Sequence, residues 1–347
     1  VDRGNGRKGI TAAGNFIIDH IKIIDVWPEE GMLSIILDEK RANGGCPYNV
    51  LKDLAALKAE IPLKGIGLVG NDENGDFILH DLEEKGIDVS DIKKVEGGVT
   101  SYTDVMTVKD TGRRTFFHNK GVNSNLDIEH FDFANIDTRI FHIGYILLLD
   151  SLDREDSEYG TRFARLLKMA KDSGLKTSVD VVSESSDRFG RLVPPALKYA
   201  DYLVINEIEA GKTSGFEIRR KDGSLDTDNL KRTMDFLVEK GNSELVCIHF
   251  PEGAYGYMET SDEGPLFVPT YNLEPEEIKG TVGAGDAFCS GILFGMHEGW
   301  GLEKSMRFAN AMAAICLGDS SASDGMKSLT ETLRFMETSE VEERLLF

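Results

Sequence analysis

Residues 280–288 read Gly-Thr-Val-Gly-Ala-Gly-Asp-Ala-Phe, and they are the part of the chain whose types and spacing point most directly to chemistry. Three small residues, Gly283, Ala284 and Gly285, precede Asp286, and an amphipathic helical stretch follows over 287–296. Free amides at a helix start, with no bulky side chain in the way, form a hole for an anion. An aspartate beside that hole repels a resting phosphate. It makes sense where it faces a hydroxyl attacking the phosphate: the amides stabilise charge on the transferred group and the carboxylate takes the proton. The alternative is an ordinary helix-start aspartate after a flexible turn.

Three other segments bear on ligands. Residues 204–213 nearly spell a phosphate-binding loop, but Asn206 replaces its first glycine, and Glu207 and Glu209 fall where a phosphate would be cradled. An acidic, Asn-bearing loop after a strand suits a hydrated Mg²⁺. It equally suits a helix cap with Asn206 as the capping residue and Glu209 as its partner three positions on. Residues 43–49 form a glycine turn, Gly44-Gly45, running into a helix with Pro47 in its first turn. Asn49 there offers a donor and an acceptor to a polyol, or caps a tight turn. Asp19 ends the first strand, at the carboxyl edge where open α/β sheets bind ligands, and can hold vicinal hydroxyls or sit as a surface turn residue. The Gly65-x-Gly67-x-x-Gly70 pattern lies inside an apolar strand instead of opening a helix, which argues against a dinucleotide site.

The elements that must position these residues alternate along the chain. Strands are expected over 9–18, 63–69, 139–143, 177–182, 202–205 and 245–249, with helices over 47–58, 75–85, 159–172, 228–239, 287–296 and 305–317. That rhythm is the mark of a mostly parallel sheet covered by helices on both faces. Two stretches, 21–41 and 100–118, break it and read as β-hairpins able to pack as a small sheet over one edge.

Composition sets the outer limits. Apolar residues make up 41% of the 347, enough for a real core. The 39 basic against 60 acidic residues leave a net charge of −21, which argues against binding to nucleic acid or anionic lipid. The most apolar run, 140–149, has half of the roughly 20 residues that a membrane span requires. Four scattered cysteines, Cys46, Cys247, Cys289 and Cys316, fit reduced thiols in a cytoplasmic protein, not a disulfide framework.

Taken in order over about residues 10–326, the segment ending in Asp19, the Gly44-Gly45…Asn49 turn, Gly67-Leu68-Val69-Gly70-Asn71-Asp72…Gly75, Asn206-x-x-Glu209 and Gly283-Ala284-Gly285-Asp286 resemble the ribokinase-like (PfkB) carbohydrate kinase family. The resemblance implies a ribokinase-like three-layer α/β sandwich with a mostly parallel central sheet, one domain over 1–347, and a β lid from 21–41 and 100–118. It implies ATP-dependent phosphoryl transfer to a sugar hydroxyl. Asp286 would be the catalytic base and Gly283, Ala284 and Gly285 the anion hole. Asp19, Gly44, Gly45 and Asn49 would contact the sugar. Asn206 and Glu209 would organise Mg²⁺ through water, while Asn310 would contact the adenine and Gly253 and Gly256 belong to the nucleotide loop.

Some positions depart from the family pattern. Gly280 stands where many members carry an Asp or Asn of a monovalent-cation site, so no such requirement carries over. Leu51 replaces a small residue and Lys58 a glycine. Cys46 and Ile17 stand where ribose-specific members have Lys and Asn, which argues against ribose. Lys120 is the candidate cation for an acidic or phosphorylated sugar, or else a solvated lid lysine. An apolar lid face with Ile35, Ile36, Val105 and Phe117 suggests a homodimer in which one lid covers another. The competing readings are a nucleoside kinase of the same fold and a non-catalytic sensor of sugar or nucleotide.

Overall fold

The fold follows from buried apolar strands that can satisfy their backbone only in a shared sheet, and from amphipathic helices that cover both of its faces. A computed structural model describes residues 6–262 and 264–341 of the chain. In order, the elements are β1 (Ile10–Gly14), β2 (Ile17–Ile24), β3 (Ile36–Gly44), α1 (Cys46–Ala56), β4 (Leu63–Gly70), α2 (Glu73–Glu84), β5 (Asp88–Val95), β6 (Tyr102–Val108), β7 (Arg114–Asn119), β8 (Ile140–Ile146), the short β9 (Glu155–Asp156) and β10 (Gly160–Thr161), α3 (Arg162–Asp172), β11 (Lys176–Val181), α4 (Phe189–Leu197), β12 (Tyr202–Asn206), α5 (Glu207–Ser214), α6 (Thr227–Lys240), β13 (Leu245–Phe250), β14 (Gly253–Met258), β15 (Leu266–Pro269), α7 (Ala284–His297), α8 (Leu302–Leu317) and α9 (Leu329–Thr338).

The main sheet has nine strands in the order β15-β14-β13-β12-β11-β8-β1-β4-β5. It is parallel from β5 through β13, and only the edge strands β14 and β15 run antiparallel. One core lies between this sheet and α3, α4 and α6, built on Phe163, Leu166, Leu192, Leu230 and Leu237. A second lies on the other face under α1, α2, α7 and α8, with Leu51, Leu54, Ile78, Phe288, Ile292 and Phe308. These are the three layers of the ribokinase-like sandwich.

A separate four-stranded sheet, β3-β2-β6-β7, forms the lid. Its central pair, β2 and β6, is parallel, and β3 and β7 flank it antiparallel. The segment 9–18 is therefore two strands in two sheets, not one. The Asn15 N–H donates to the Gly144 carbonyl at 3.1 Å, closing β1, and the Ile18 N–H donates to Ser101 O at 3.0 Å, opening the lid. Asp19 thus belongs to the lid, paired with Ala42 and Thr103, and does not end a strand of the main sheet.

The lid also corrects the expected apolar face. Val105 is buried with Ile21 and Ala42 in a small core of the lid. Ile35, Ile36 and Phe117 are exposed, and Phe117 stacks on Trp27 at 6.2 Å between ring centroids. The helix expected over 287–296 begins three residues earlier, at Ala284, which brings Asp286 into its first turn.

Candidate active site

Asp286 is the third residue of α7, behind a Gly283 N-cap whose φ of 81° is left-handed and whose Cβ, if present, would stand 2.5 Å from Ala322 O. Only glycine makes that turn without strain. The turn leaves the amides of residues 284–286 without partners inside the helix, so they are free to face an anion. Ala284 and Gly285 line a cavity of about 580 Å³ together with Asn206, His249, Gly253, Thr281, Phe288 and Asn310.

The Asp286 carboxylate is buried. It accepts from Asn49 Nδ2 at 2.7 Å and from the Tyr145 hydroxyl at 3.0 Å. Burial lifts its carboxyl to about 6, against the pull of those two hydrogen bonds. Asn49 is fixed in turn: its Oδ1 accepts from Asn43 Nδ2 at 2.6 Å, and Asn43 Oδ1 accepts from Lys52 Nζ at 2.8 Å. Lys52 pairs with Asp81 and Asp324 at 3.2 and 3.1 Å. The carboxylate is thus held by neutral donors backed by a buried cation. It keeps its acceptor capacity without a direct ion pair that would depress its proton affinity.

Asp19 faces this group from the lid. Burial raises its carboxyl to about 7, a hydrogen bond from Thr103 lowers it, and the Asp286 charge raises it further. Gly44 lies against it: a Cβ there would stand 2.5 Å from Asp19 Oδ1. Gly45, with φ of 83°, is the N-cap of α1 and so aims Asn49 at Asp286. Asp19, Gly44, Gly45, Asn49 and Asp286 are brought together from the lid sheet and two helix starts.

Asn206 and Glu209 form a reciprocal cap on α5. Asn206 Oδ1 accepts from the amides of Ile208 and Glu209 at 2.9 Å, and Glu209 Oε2 accepts from the Asn206 amide at 3.0 Å. Asn206 also lines the cavity, and Glu209 lies near enough to Asp286 to feel its charge. Burial raises Glu209 to about 7, and the charges of Asp286 and Glu207 add to the rise.

Other expected residues divide. Gly253 and Asn310 line the cavity. Asn310 uses its amide to donate to Val268 O and Pro269 O, at 3.2 and 3.0 Å, tying α8 to β15. Gly256 does not line the cavity; it lies in β14, where a Cβ would meet Met306 Sδ at 2.5 Å, so it is a packing glycine. Lys120 is held by Asp150 at 2.5 Å, which leaves its charge neutralised.

Three residues of the site were not singled out from the sequence as functional. Tyr145 is one. The others are Asp180, at the end of β11, and Cys46, whose ligating atoms lie within 4.8 Å of each other and of Asp286. Asp180 is pushed far above the usual carboxylate range by burial, with Glu209 and Asp286 adding to it. Cys46 Sγ lies 2.8 Å from His142 Nε2. All three come from the carboxyl ends of neighbouring strands or the helix facing them. Strand adjacency brings them together, and no local spacing announces it.

Comparison with known proteins agrees with this geometry. Residues 12–329 match the family described as pfkB family carbohydrate kinase. An ATP-dependent ribose-1-phosphate kinase of Halopiger xanaduensis is 27% identical over 310 residues, covering 89% of this chain and 92% of its own. A 5-dehydro-2-deoxygluconokinase of Clostridium beijerinckii is 28% identical over 309 residues, covering 86% and 84%. In fold, the chain matches Arabidopsis thaliana ribokinase complexed with ribose and ATP, at a TM-score of 0.75 and 20% identity over 96% of this chain and all of that one. A Methanocaldococcus jannaschii nucleoside kinase matches at a TM-score of 0.72 and 18% identity, over 96% and 99%.

Asp286→Asn keeps the size and one acceptor for Asn49, so melting should change little. Loss of a positioned base should lower kcat and kcat/KM together by at least about 10²-fold. ATP affinity should be equal or tighter, because a negative charge leaves the phosphate's side. In the unaltered enzyme, protonation of Asp286 below about pH 6 removes the base, so kcat/KM should fall on the acid side of that value. A variant with near-normal kcat would reduce Asp286 to a helix-start residue.

Proposed function

The chain belongs to the pfkB family of carbohydrate kinases, ATP-dependent phosphotransferases acting on sugars, and from that premise we propose that Asp286 is its catalytic base. The observation that supports this is the buried carboxylate on the first turn of α7, held by Asn49 and Tyr145 between the free amides of the turn and the lid carboxylate Asp19. ATP occupies the 580 Å³ cavity, with its γ-phosphate toward Ala284 and Gly285. Asp19, Gly44 and Asn49 hold the sugar. The accepting hydroxyl attacks the γ-phosphorus, its proton passes to Asp286, and ADP leaves with the bridging oxygen. The transition state is loose, so most of the catalysis is positioning and charge stabilisation. An Asp carboxyl near 6 is ionised at neutral pH, yet basic enough to take the proton late.

The residues present fit a divalent cation. Burial raises the proton affinity of Asp180 and Glu209, the Asp286 charge adds to both and the Glu209 charge adds to Asp180, a repulsion that a cation relieves. Asn206 and Glu209 would hold Mg²⁺ through water, and the ion would supply neutralising charge to the ATP phosphates. Glu209→Gln keeps an acceptor for the Asn206 amide, so the cap on α5 should survive and melting should change little. Loss of the charge should raise the Mg²⁺ concentration for half-maximal turnover several-fold. An unchanged Mg²⁺ titration would leave the pair as a helix cap only.

The lid and the loop before β3 expose Trp27, Ile35, Ile36, Leu37 and Phe117. We place a second lid over them, in a homodimer; a monomer in light scattering at micromolar concentration would overturn this. The four free, buried cysteines fit a reducing compartment such as the cytoplasm. For the substrate class, ADP release should be stimulated by monosaccharides or sugar acids more than by adenosine or a pyrimidine nucleoside. Stimulation by nucleosides alone would shift the reading to a nucleoside kinase.

A further inference from the structure

Arg114 opens β7 on the face of the lid that carries Asp19. The register pairs Asp19 with Thr103, Ile23 with Thr107, and Thr107 with Arg114, so the period of two places Asp19, Thr103, Thr107 and Arg114 on one side. The guanidinium reaches from there to the catalytic turn. Its Nη2 stands 3.3 Å from where a Cβ on Gly280 would be. Its Nη1 is shut off from solvent and has no hydrogen-bond partner. Asp19 is close enough to act on its charge, but no ion pair joins the two among the described residues. The guanidinium is half-buried, its shielded Nη1 is an idle donor, and a bound anion offers the fork geometry that would satisfy it.

Gly280 explains why the arginine fits. A side chain at 280 would meet Asp319 O at 2.8 Å and Ser320 Cα at 3.1 Å, besides the guanidinium itself. The departure from the family pattern at 280 is thus the space into which Arg114 extends. Lys40, on the same face by its pairing with Ile21, adds a second cation nearby, donating to Ser320 Oγ at 2.8 Å. A chain with a net charge of −21 that binds an anionic ligand must do so with such local cations. Lys120, already paired with Asp150, is not one of them.

We propose that the acceptor sugar carries an anionic group, a carboxylate or a phosphate ester, which Arg114 grips while Asp19 holds a hydroxyl. This rests on the kinase reading above, and it makes Arg114 the specificity-determining residue of the acceptor site. The ligand bridges the lid and the catalytic turn. Its anion sits at Gly280 and its hydroxyl faces Asp286.

The test compares two matched pairs, gluconate with glucose and ribose 1-phosphate with ribose, on the full chain carrying Mg²⁺ and a non-hydrolysable ATP analogue. The analogue fills the nucleotide's own phosphate sites. In the unaltered protein the anionic member of at least one pair should bind tenfold or more tighter than its neutral partner, and the pair that shows it separates carboxylate from phosphate. Arg114→Gln should abolish that preference without changing the affinity for the ATP analogue. Arg114→Lys, which keeps the charge and loses the fork, should restore part of it. Equal binding of neutral and anionic sugars, an anion preference that survives Arg114→Gln, or a loss that falls on the ATP analogue instead would each overturn the proposal. ADP release by the unaltered protein on the same panel is read separately. Arg114-dependent anion binding without turnover of any sugar would leave this inference standing and remove the kinase reading.

Discussion

Asp286, the proposed base, is buried without being neutralised, and most of the site is arranged around that constraint. Burial alone would keep it protonated at neutral pH; a direct lysine or arginine partner would make it too weak a base. The structure takes a middle course with two neutral donors, Asn49 and Tyr145. The positive charge that offsets the local carboxylates stands two residues away, on Lys52 behind Asn43. The Gly45 N-cap that sets the direction of α1, and the Gly283 turn that starts α7, are both means of aiming these groups at one another.

The same crowding defines what can bind. Asp180, Glu209, Asp286 and Asp19 all lie above the ordinary carboxylate range, because each is buried and three of them feel another's charge. Such a cluster repels a bare triphosphate and welcomes one that brings its own cation. On the lid face that carries Asp19 stand two cations: Arg114, for which Gly280 leaves room, and Lys40 at Ser320.

What could be read from the sequence was whatever the chain keeps local. The turn at 283–286, the Gly44-Gly45…Asn49 turn and the Asn206…Glu209 cap are each confined to a few residues, and their spacing survives folding unchanged. The alternation of strands and helices likewise gave the three layers. Contacts made by sheet adjacency stayed hidden: Tyr145 on β8 and Asp180 on β11 meet Asp286 only because those strands end side by side against α7. The division of 9–18 was hidden because apolar residues continue through Phe16, while the hydrogen bonds from Asn15 to Gly144 and from Ile18 to Ser101 mark the change of sheet. The helix α4 was not expected from the sequence, and Pro194 and Pro195 stand inside it. Gly256 was assigned to the nucleotide from its place in the chain, whereas α8 packs against it through Met306.

The placement of Asp19 on the lid has a mechanical consequence. The base belongs to α7, which packs closely on α8 and on the main sheet. The residue that holds the acceptor belongs to a four-stranded sheet whose strand β2 is joined to β1 by two residues only, Asn15 and Phe16. The proposed acceptor contact and the proposed base therefore stand on different elements, the lid sheet and α7. Arg114 and Lys40 reach across that junction to Gly280 and Ser320. In the proposed reaction a ligand engaging them would hold the lid against the catalytic turn and so exclude water, the competing acceptor for the phosphoryl group. A sugar that cannot bridge the two elements would leave Asp19 out of reach of the proposed base. Discrimination between acceptors is thereby built into the assembly of the site as well as into its contacts.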